Sequence, residues 1–469
     1  MVAGRGIAGD TAINVLAIAF SLVGGFVYQS ILAWHLGPTG RGDYGVWIAI
    51  ATIMAVLFTL GTDRAVQIHL ISNRITVAQA TCTAMLIGVV GSIVAMAVLW
   101  LGFQNDWQLL ANVSPQNRII ALLVVPAVSL PLAIQLLLAG LSHFAALAVF
   151  SMVRALLQVG LAAFLFVVLD WDIEAAYTTF VLSSGITLVA YLLFLKWQYK
   201  LHTALVSPKM AATLLGYSLR YLPARLGNVL NANLVLLMLV FFASKHDIGL
   251  FSLALALMGQ SLVISNALDR AVQPRMSVTP DGRSDLIAQC CRISTLLYGV
   301  ILLVLLLLAD IAVPVLFSKS FQGSIPLLWL LAPGIWLRGS SKPLRTYFIG
   351  SNRPGIVSIS IIAELVVTLI SLAVFYPFAG IFGAAFGTTL GQASGTLVLV
   401  LKFHSCSKHS FAETWLWNKV DTQCLKDRLI ATFKIRLKPL NHFSCANSDA
   451  VEREIVSASV SEADRSLET

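Results

Sequence analysis

The chain has 469 residues, of which 58% are hydrophobic and only 11% are charged, and its mean hydropathy is +0.85. This composition excludes an ordinary soluble enzyme or binding domain, because such domains carry about 25% charged residues. The formal net charge of +9 does not by itself indicate nucleic acid as a partner, since basic loops are a general feature of multi-pass membrane proteins.

Twelve apolar stretches precede residue 402, each near the roughly 20 residues that a bilayer-spanning helix needs. They are 11–34, 44–60, 77–102, 119–141, 144–169 and 175–195, then 222–242, 248–268, 293–317, 325–349, 356–375 and 381–401. The pattern predicts an all-α integral membrane protein with two six-helix lobes. The predicted parts are a first lobe at 1–195, a cytoplasmic linker at 196–220, a second lobe at 221–402, and a partly disordered cytoplasmic tail at 403–469.

Lys and Arg are concentrated in alternate loops, and the poorer set of loops holds only Arg41, Arg118, Lys245 and Lys319. Basic loops remain in the cytoplasm, so the sequence predicts that both termini are cytoplasmic and that these four residues face outward. The outward loops are too short for an extracytoplasmic catalytic domain. The chain also lacks a Cys-x-x-Cys pair and a Gly-rich nucleotide loop with Lys-Ser/Thr, so no metal, cofactor or ATP-driven engine is predicted.

Five residues occur twice, as Asp63–Gln67 and as Asp269–Gln273, each near the end of the second span of a half. Internal repeats of this kind build many transporter folds around a central site. The repeat predicts a pair of equivalent cytoplasmic helix ends, at which Arg64 and Arg270 either contact a ligand or simply anchor the topology.

Two charges lie deep within predicted spans, Arg154 in the fifth and Glu364 in the eleventh. A charge at such a depth costs at least ~2.5 kcal/mol and seldom faces lipid. Arg225 lies nearer a span end, where it either binds a ligand or anchors the topology. Amide side chains occupy the corresponding first span of each half and either line a polar lumen or bond neighbouring helices; they are Asn14 and Gln29, and Asn228, Asn231 and Asn233.

Two further patterns concern packing. The last span carries Gly383, Gly387, Gly391 and Gly395 on one helix stripe, which predicts close approach of another backbone. Residues 414–440 mix tryptophan with lysine and arginine, which suits either a helix on an anionic membrane surface or a solvated cytoplasmic helix.

Several short motifs in order carry a family resemblance. They are 36–44 (LGPTGRGDY), 248–254 (IGLFSLA), Pro274-Arg275, Leu316-Phe317 with Phe321, and 380–385 (GIFGAA). Over residues 8–402 the chain resembles the bacterial oligosaccharide flippases of the polysaccharide biosynthesis protein family. This is the Wzx-like branch of the multidrug/oligosaccharidyl-lipid/polysaccharide exporter superfamily.

The resemblance implies two lobes forming a V, as in MATE transporters, and alternating access without covalent chemistry. The implied cargo is an undecaprenyl-diphosphate-linked oligosaccharide for O-antigen, capsule or exopolysaccharide synthesis at the bacterial inner membrane, with a polysaccharide polymerase and glycosyltransferases as possible partners. On this basis the candidate substrate contacts are Arg154, Arg225, Arg64, Arg270, Asn14, Gln29, Asn228, Asn231 and Asn233.

One departure from the family pattern concerns energy coupling. Members often carry an Asp after an Arg in the seventh span, and Asn233 occupies what resembles that position here. Glu364 and Asp269 are the candidate coupling residues that remain. The alternative functions are a multidrug or small-molecule antiporter on the same fold and, as an enzyme, a membrane polysaccharide polymerase.

Overall fold

The computed structural model of the protein describes residues 7–111, 113–199, 204, 206–272, 283–351, 353–407 and 415. Within these ranges, side chains are described except at 7–16, 18, 262–272, 283–286, 350 and 354. Asn14, Asp269 and Arg270 therefore belong to described helices, but their side chains lie outside the described set. The predicted tail segment 414–440 lies outside it too, apart from Trp415.

The described chain is helical throughout, with no strand among the described residues. The first six helices are α1 (Ile7–Phe58), α2 (Thr62–Ile71), α3 (Val77–Gln104), α4 (Arg118–Gly140), α5 (Phe144–Ala163) and α6 (Ile173–Tyr199). The next six are α7 (Pro208–Leu239), α8 (Lys245–Val272), α9 (Arg283–Phe317), α10 (Ser324–Ser340), α11 (Lys342–Gly350) and α12 (Pro354–Cys406).

Eight of the helices are long and apolar enough to cross a membrane by length and composition. Two of these, α1 and α12, each contain a non-helical glycine and consist of two helices, α1a (7–36) with α1b (38–58) and α12a (354–379) with α12b (381–406). Counting α1 and α12 as two spans each, these eight helices correspond to ten of the predicted spans. Helix α8 corresponds to one more, and α10 continued by α11 corresponds to the last of the twelve. The predicted all-α membrane architecture is confirmed.

Both divided helices reverse direction at a glycine whose φ is positive, Gly37 (φ 60) and Gly380 (φ 55). Glycine has no Cβ, so it adopts this conformation at little cost. The reversal brings the Tyr28 hydroxyl 3.0 Å from the Tyr44 hydroxyl, although the two residues are 16 apart in sequence. Each pair of half-helices is therefore an antiparallel hairpin whose turn is hidden inside an apparently continuous helix.

The glycine stripe of α12b lies directly on α12a. A Cβ at Gly383 would come within 2.2 Å of the Phe375 carbonyl oxygen, and one at Gly391 within 2.8 Å of the Glu364 carbonyl oxygen. The prediction that the stripe permits close backbone packing is confirmed. Small residues serve this purpose in membranes, where helices gain little from hydrophobic burial and associate through close contact.

Among the described side chains, the apolar core joins the lobes at one end. The end that contains Gly37 and Gly380 is called the predicted outer end, and the end that contains Gly61 the predicted inner end. At the outer end, residues of both lobes form one continuous cluster, for example Trp47 and Phe166 with Phe251 and Phe317. At the inner end, each lobe has a separate cluster, so the two lobes are packed together chiefly at their outer ends.

Two details differ from the sequence predictions. The break between the lobes is short, because α6 continues to Tyr199 and α7 begins at Pro208, so both ends of the predicted linker 196–220 are helical. The first half of α7 packs on the first lobe, since Leu214 is fully buried in the first lobe's inner cluster.

The repeated pentapeptides also differ in structure. Asp63–Gln67 lies in the separate helix α2, which follows a break at Leu60 (φ 53) and Gly61 (φ 66). Residues 269–272, by contrast, complete α8 without interruption. The prediction of equivalent helix ends is therefore wrong in its local geometry, because positive-φ backbone at 60–61 separates the first copy from its span.

Candidate functional site

Arg154 lies at the middle of α5 and faces the interior of the first lobe. One of its terminal nitrogens donates to the Ser184 hydroxyl of α6 at 3.0 Å, and its guanidinium lies 5.4 Å from the centre of the Phe180 ring. Its Nε is buried and has no hydrogen-bond partner. In the described part of the chain, no carboxylate forms an ion pair with Arg154.

A second arginine, Arg41, lies in the same interior. It is only 3% exposed, and its guanidinium lies 5.7 Å from the centre of the Tyr44 ring. Its Nε and one terminal nitrogen have no hydrogen-bond partner. Both Arg41 and Arg154 interact electrostatically with Tyr28 and Tyr44, whose hydroxyls are bonded to each other. The first lobe thus holds one buried guanidinium group, Arg41, against the tyrosine pair, and a partly buried one, Arg154, within electrostatic range of it.

Sequence reasoning missed Arg41, which it assigned to an outward loop. The structure corrects this placement, because the hairpin at Gly37 starts α1b at residue 38 and turns Arg41 into the protein. The candidate Gln29 lies in α1a, next to Tyr28, and its buried Oε1 has no partner either. Unpaired buried polar groups are costly, so this cluster is the strongest polar anomaly of the first lobe.

The second lobe contains a buried ion cluster centred on Glu364 of α12a, which is 2% exposed. Its carboxylate lies 3.1 Å from Arg345 of α11 and 3.5 Å from Arg338 of α10. The three side chains together carry one net positive charge. Sequence reasoning missed both arginines because it counted them as topological charges at the end of the tenth span.

The amide candidates of α7 mostly bond neighbouring backbone and the ion cluster. Asn228 accepts a hydrogen bond from Arg345 at 3.4 Å and donates to the Ala224 carbonyl oxygen at 3.0 Å. Asn231 donates to the Ile361 carbonyl oxygen of α12a at 3.2 Å. Asn233 donates to the carbonyl oxygen of Val229 in its own helix at 2.9 Å. Asn228 and Asn231 therefore join α7 to the second lobe.

At the predicted inner end, one ion pair joins α2 to α7. Arg225 donates to Asp63 at 3.0 Å, and the two side chains are 24% and 9% exposed. The candidate Arg64 turns instead to Gln67 of its own helix. Arg64 and Arg225 therefore both lie at the inner end. Their side-chain partners are Gln67 and Asp63, and neither is bonded to the first-lobe cluster around Arg154 in the described part of the chain.

Charge reversal tests the Asp63–Arg225 pair. We expect Asp63→Arg to destabilise the protein, because it places two cations together, and we expect addition of Arg225→Asp to recover most of the loss. The coupling free energy, from thermal unfolding of the two single variants and the double variant in detergent, should be about 1–3 kcal/mol.

The exposed pair Lys245–Asp43 provides the matched control. Its side chains lie 3.1 Å apart, but Lys245 is 51% exposed, so the same cycle there should give about 0–1 kcal/mol. Equal coupling energies for the two pairs would contradict a special role for the inner pair.

At the predicted outer end, the lobes meet through glycines. A Cβ at Gly249 of α8 would lie 1.7 Å from the Pro38 carbonyl oxygen, and one at Gly42 would lie 2.6 Å from the Lys245 carbonyl oxygen. Trp34 donates across the same end to the Leu316 carbonyl oxygen at 3.0 Å. These contacts close the outer end in the conformation described.

The described residues contain no group of three or more His, Cys, Asp or Glu side chains placed to hold a metal ion. Within the described part of the chain, Cys82, Cys290, Cys291 and Cys406 form no disulfide. Within its lobes the described part of the molecule brings together arginine, amide and hydroxyl side chains, which are the groups that bind anions and hydroxylated ligands in proteins.

Two helical lobes that meet at one end, with buried cations in each, define a membrane transporter fold of the two-lobed type. The chain belongs to the polysaccharide biosynthesis protein family, whose model matches residues 7–279. No curated protein has significant sequence similarity to the chain.

Solved structures share the fold. One is described as "Lipid II flippase MurJ, inward closed conformation", with a TM-score of 0.69 and 14% identity over 92% of this chain and 94% of that one. Another is an inward-facing multidrug resistance MATE family transporter of the MOP superfamily, with a TM-score of 0.60 and 13% identity over 85% and 99%. A third is the Vibrio cholerae MATE transporter VcmN, with a TM-score of 0.54 and 13% identity over 86% and 99%.

Proposed function

We propose that this protein is a flippase that moves a lipid-linked oligosaccharide across the bacterial inner membrane by alternating access. The carrier in this proposal is undecaprenyl diphosphate, and the product feeds synthesis of a surface polysaccharide such as O-antigen, capsule or exopolysaccharide. Membership of the polysaccharide biosynthesis family and the fold shared with a lipid II flippase support this proposal.

The observation that carries the proposal is Arg154 together with Arg41. One buried and one partly buried guanidinium group, neither paired with a carboxylate among the described residues, favour an anionic cargo, since a diphosphate accepts hydrogen bonds from guanidinium bidentately. The nearby hydroxyls of Tyr28, Tyr44 and Ser184 suit the same ligand or its first sugar. The same arginines would repel a cationic drug.

The conformation supports alternating access from the inner side. The outer ends of the lobes share one core, whereas the inner ends form separate clusters bridged by Asp63 and Arg225. Opening outward requires the Gly249–Pro38 contact to separate. Outward movement of an anion from a negative cell interior is favoured by ~2.3 kcal/mol per charge per 100 mV, so the membrane potential supplies part of the driving force.

Arg154 variants test the proposal. In cells lacking the gene, lipid-linked oligosaccharide should accumulate in the inner leaflet, and the wild-type gene should restore its transfer to the outer leaflet. Arg154→Ala should reduce the transfer rate about 30-fold or more, since truncating one partner of a buried charge-assisted contact costs about 2–5 kcal/mol. The measurement is outer-leaflet labelling of the oligosaccharide in spheroplasts at equal protein abundance.

Arg118→Ala is the matched control. Arg118 also lies over an aromatic ring, 5.0 Å from the centre of Phe103, but it begins α4 at the outer end, away from the first-lobe cluster. It should keep near wild-type transfer. Wild-type transfer in Arg154→Ala would remove Arg154 from the site, and normal distribution of the lipid in the deletion strain would overturn the proposed function.

A multidrug antiporter is the second candidate, because the fold is shared with multidrug transporters. This alternative predicts that the deletion strain accumulates a cationic dye such as ethidium while its lipid-linked oligosaccharide remains normally distributed. The flippase proposal predicts the opposite pair of results, so the same strain decides between them.

A further inference from the structure

A cavity of about 420 Å³ lies at the predicted inner end between α2 and the first half of α7. Its polar lining consists of Arg74, Arg220, His69, Ser72, Thr213 and Tyr217, and no carboxylate lines it. None of the residues that line the cavity belongs to the clusters around Arg154 and Glu364. The proposed transport function assigns the cavity no role.

The lining provides hydrogen-bond donors for an anion. Neither Arg74 nor Arg220 has an ion pair or a side-chain hydrogen bond in the described part of the chain. The Nδ1 atom of His69 lies 2.9 Å from the Ala65 carbonyl oxygen; because a carbonyl only accepts, Nδ1 carries the proton, and Nε2 of the neutral ring is an acceptor that adds no donor for an anion. The hydroxyls of Ser72 and Thr213 already donate to backbone carbonyl oxygens of their own segments, so the two guanidinium groups and the Tyr217 hydroxyl are the donors that match the oxygens of a phosphate.

The two helices that line the cavity also carry exposed apolar side chains. Leu215 and Leu219 of α7 are 39% and 55% exposed, and Ile71 of α2, next to Ser72, is 59% exposed. A free phosphate gains no binding energy from exposed apolar side chains, whereas the acyl or prenyl chains of a lipid would pack against them. A ligand that is charged at one end and apolar at the other fits both features.

We propose that this cavity binds the phosphate of a membrane lipid at the inner leaflet, with Arg74 and Arg220 as its main ligands. Its two walls, α2 and α7, are the elements that Asp63 and Arg225 also connect. A bound lipid therefore adds a second connection between the first lobe and the start of the second. The proposal goes beyond the transport function and does not depend on the identity of the cargo.

Lipid retention tests the site. The full-length protein is exchanged into phosphatidylcholine nanodiscs that contain a minor fraction of phosphatidylglycerol, and phosphatidylglycerol retained per protein after detergent extraction is counted by native mass spectrometry. Arg74→Gln with Arg220→Gln should lower this retention about tenfold or more, since two charge-assisted contacts are lost. Lys196→Gln with Lys402→Gln removes two exposed inner-end charges that do not line the cavity and should leave retention unchanged.

A steric variant makes the test independent of charge. Gly216 lines the cavity, and a Cβ there would meet no atom within 4 Å, so Gly216→Phe should fill the cavity without straining the fold. It should reduce retention as strongly as the double arginine variant. Wild-type retention in either variant would overturn the site.

Competition then distinguishes the possible sources of phosphate. Undecaprenyl diphosphate should displace phosphatidylglycerol, and inorganic phosphate at millimolar concentration should not. Displacement by inorganic phosphate would overturn the lipid assignment. Because retention is counted without any transport step, failure of this proposal and failure of the flippase proposal are separately visible.

Discussion

Replacing Gly249 with alanine is expected to prevent the lobes from closing at the predicted outer end. The added Cβ would lie 1.7 Å from the Pro38 carbonyl oxygen and 2.5 Å from its carbonyl carbon. Both atoms are backbone, and they follow the Gly37 turn, so no side-chain rotation relieves the overlap. Overpacking of this kind costs about 1–3 kcal/mol, which shifts the closed-to-open ratio by about 5- to 150-fold.

Thiol labelling measures this shift. Ser252 lies at the same seam, is buried, and would contact a Cβ placed on Gly45 at 2.3 Å. With Ser252→Cys as the reporter in a background without native cysteines, a membrane-impermeant maleimide should label the Gly249→Ala variant about 5- to 150-fold faster from the outer side.

Gly259→Ala is the matched control on the same helix. A Cβ at Gly259 would meet no atom within 4 Å, so labelling of the reporter should stay at the rate seen with the parent glycine. If the two alanine variants label equally fast, the Gly249 contact does not hold the outer end closed.

The sequence predicted spans well because hydropathy needs no tertiary information. It predicted the stripe Gly383–Gly395 for the same reason, since four-residue spacing defines a helix face whatever the partner is. It could not predict that the partner would be α12a, because the reversal at Gly380 depends on a single residue whose positive φ leaves no hydropathic trace.

Charges were harder to place than apolar residues. The sequence identified Arg154 as a candidate because apolar residues surround it, and the structure places its side chain toward the interior of the first lobe. Arg41, Arg338 and Arg345 escaped notice because they lie near span ends, where an arginine normally reaches water. Only the three-dimensional packing turns them inward, toward Tyr44 and Glu364.

The repeat illustrates a further limit of sequence reasoning. Asp63–Gln67 and Asp269–Gln273 are identical, yet only the first follows a helix break. Identical side chains do not fix the backbone that precedes them, and here Leu60 and Gly61 separate the first copy from its span. In the first copy, Asp63 forms an ion pair with Arg225, whereas the side chains of the second copy lie outside the described residues.

Neutralising Glu364 is expected to be the most destabilising single polar change in the second lobe. Glu364→Gln would leave Arg338 and Arg345 without the carboxylate that lies 3.5 Å and 3.1 Å from them. Breaking a buried ion cluster by removing one partner costs about 3–5 kcal/mol, because uncompensated charge stays buried. Thermal unfolding in detergent measures the loss, and Asp172→Asn, an exposed carboxylate before α6, should change stability by no more than about 0.5 kcal/mol.

A compensated variant then separates a structural tie from energy coupling at Glu364. Replacing all three side chains by apolar ones, with Arg338→Met, Arg345→Met and Glu364→Leu, should restore much of the stability, since well-packed apolar groups often replace buried ion clusters without loss. If Glu364 only holds α10, α11 and α12a together, transport should return with stability. If stability returns and transport does not, a charge in this cluster takes part in the transport cycle. Glu364→Gln that unfolds like wild type yet no longer transports would contradict the structural role directly and favour the candidate coupling role, since the Glu364 carboxylate would then be needed for movement and not for packing.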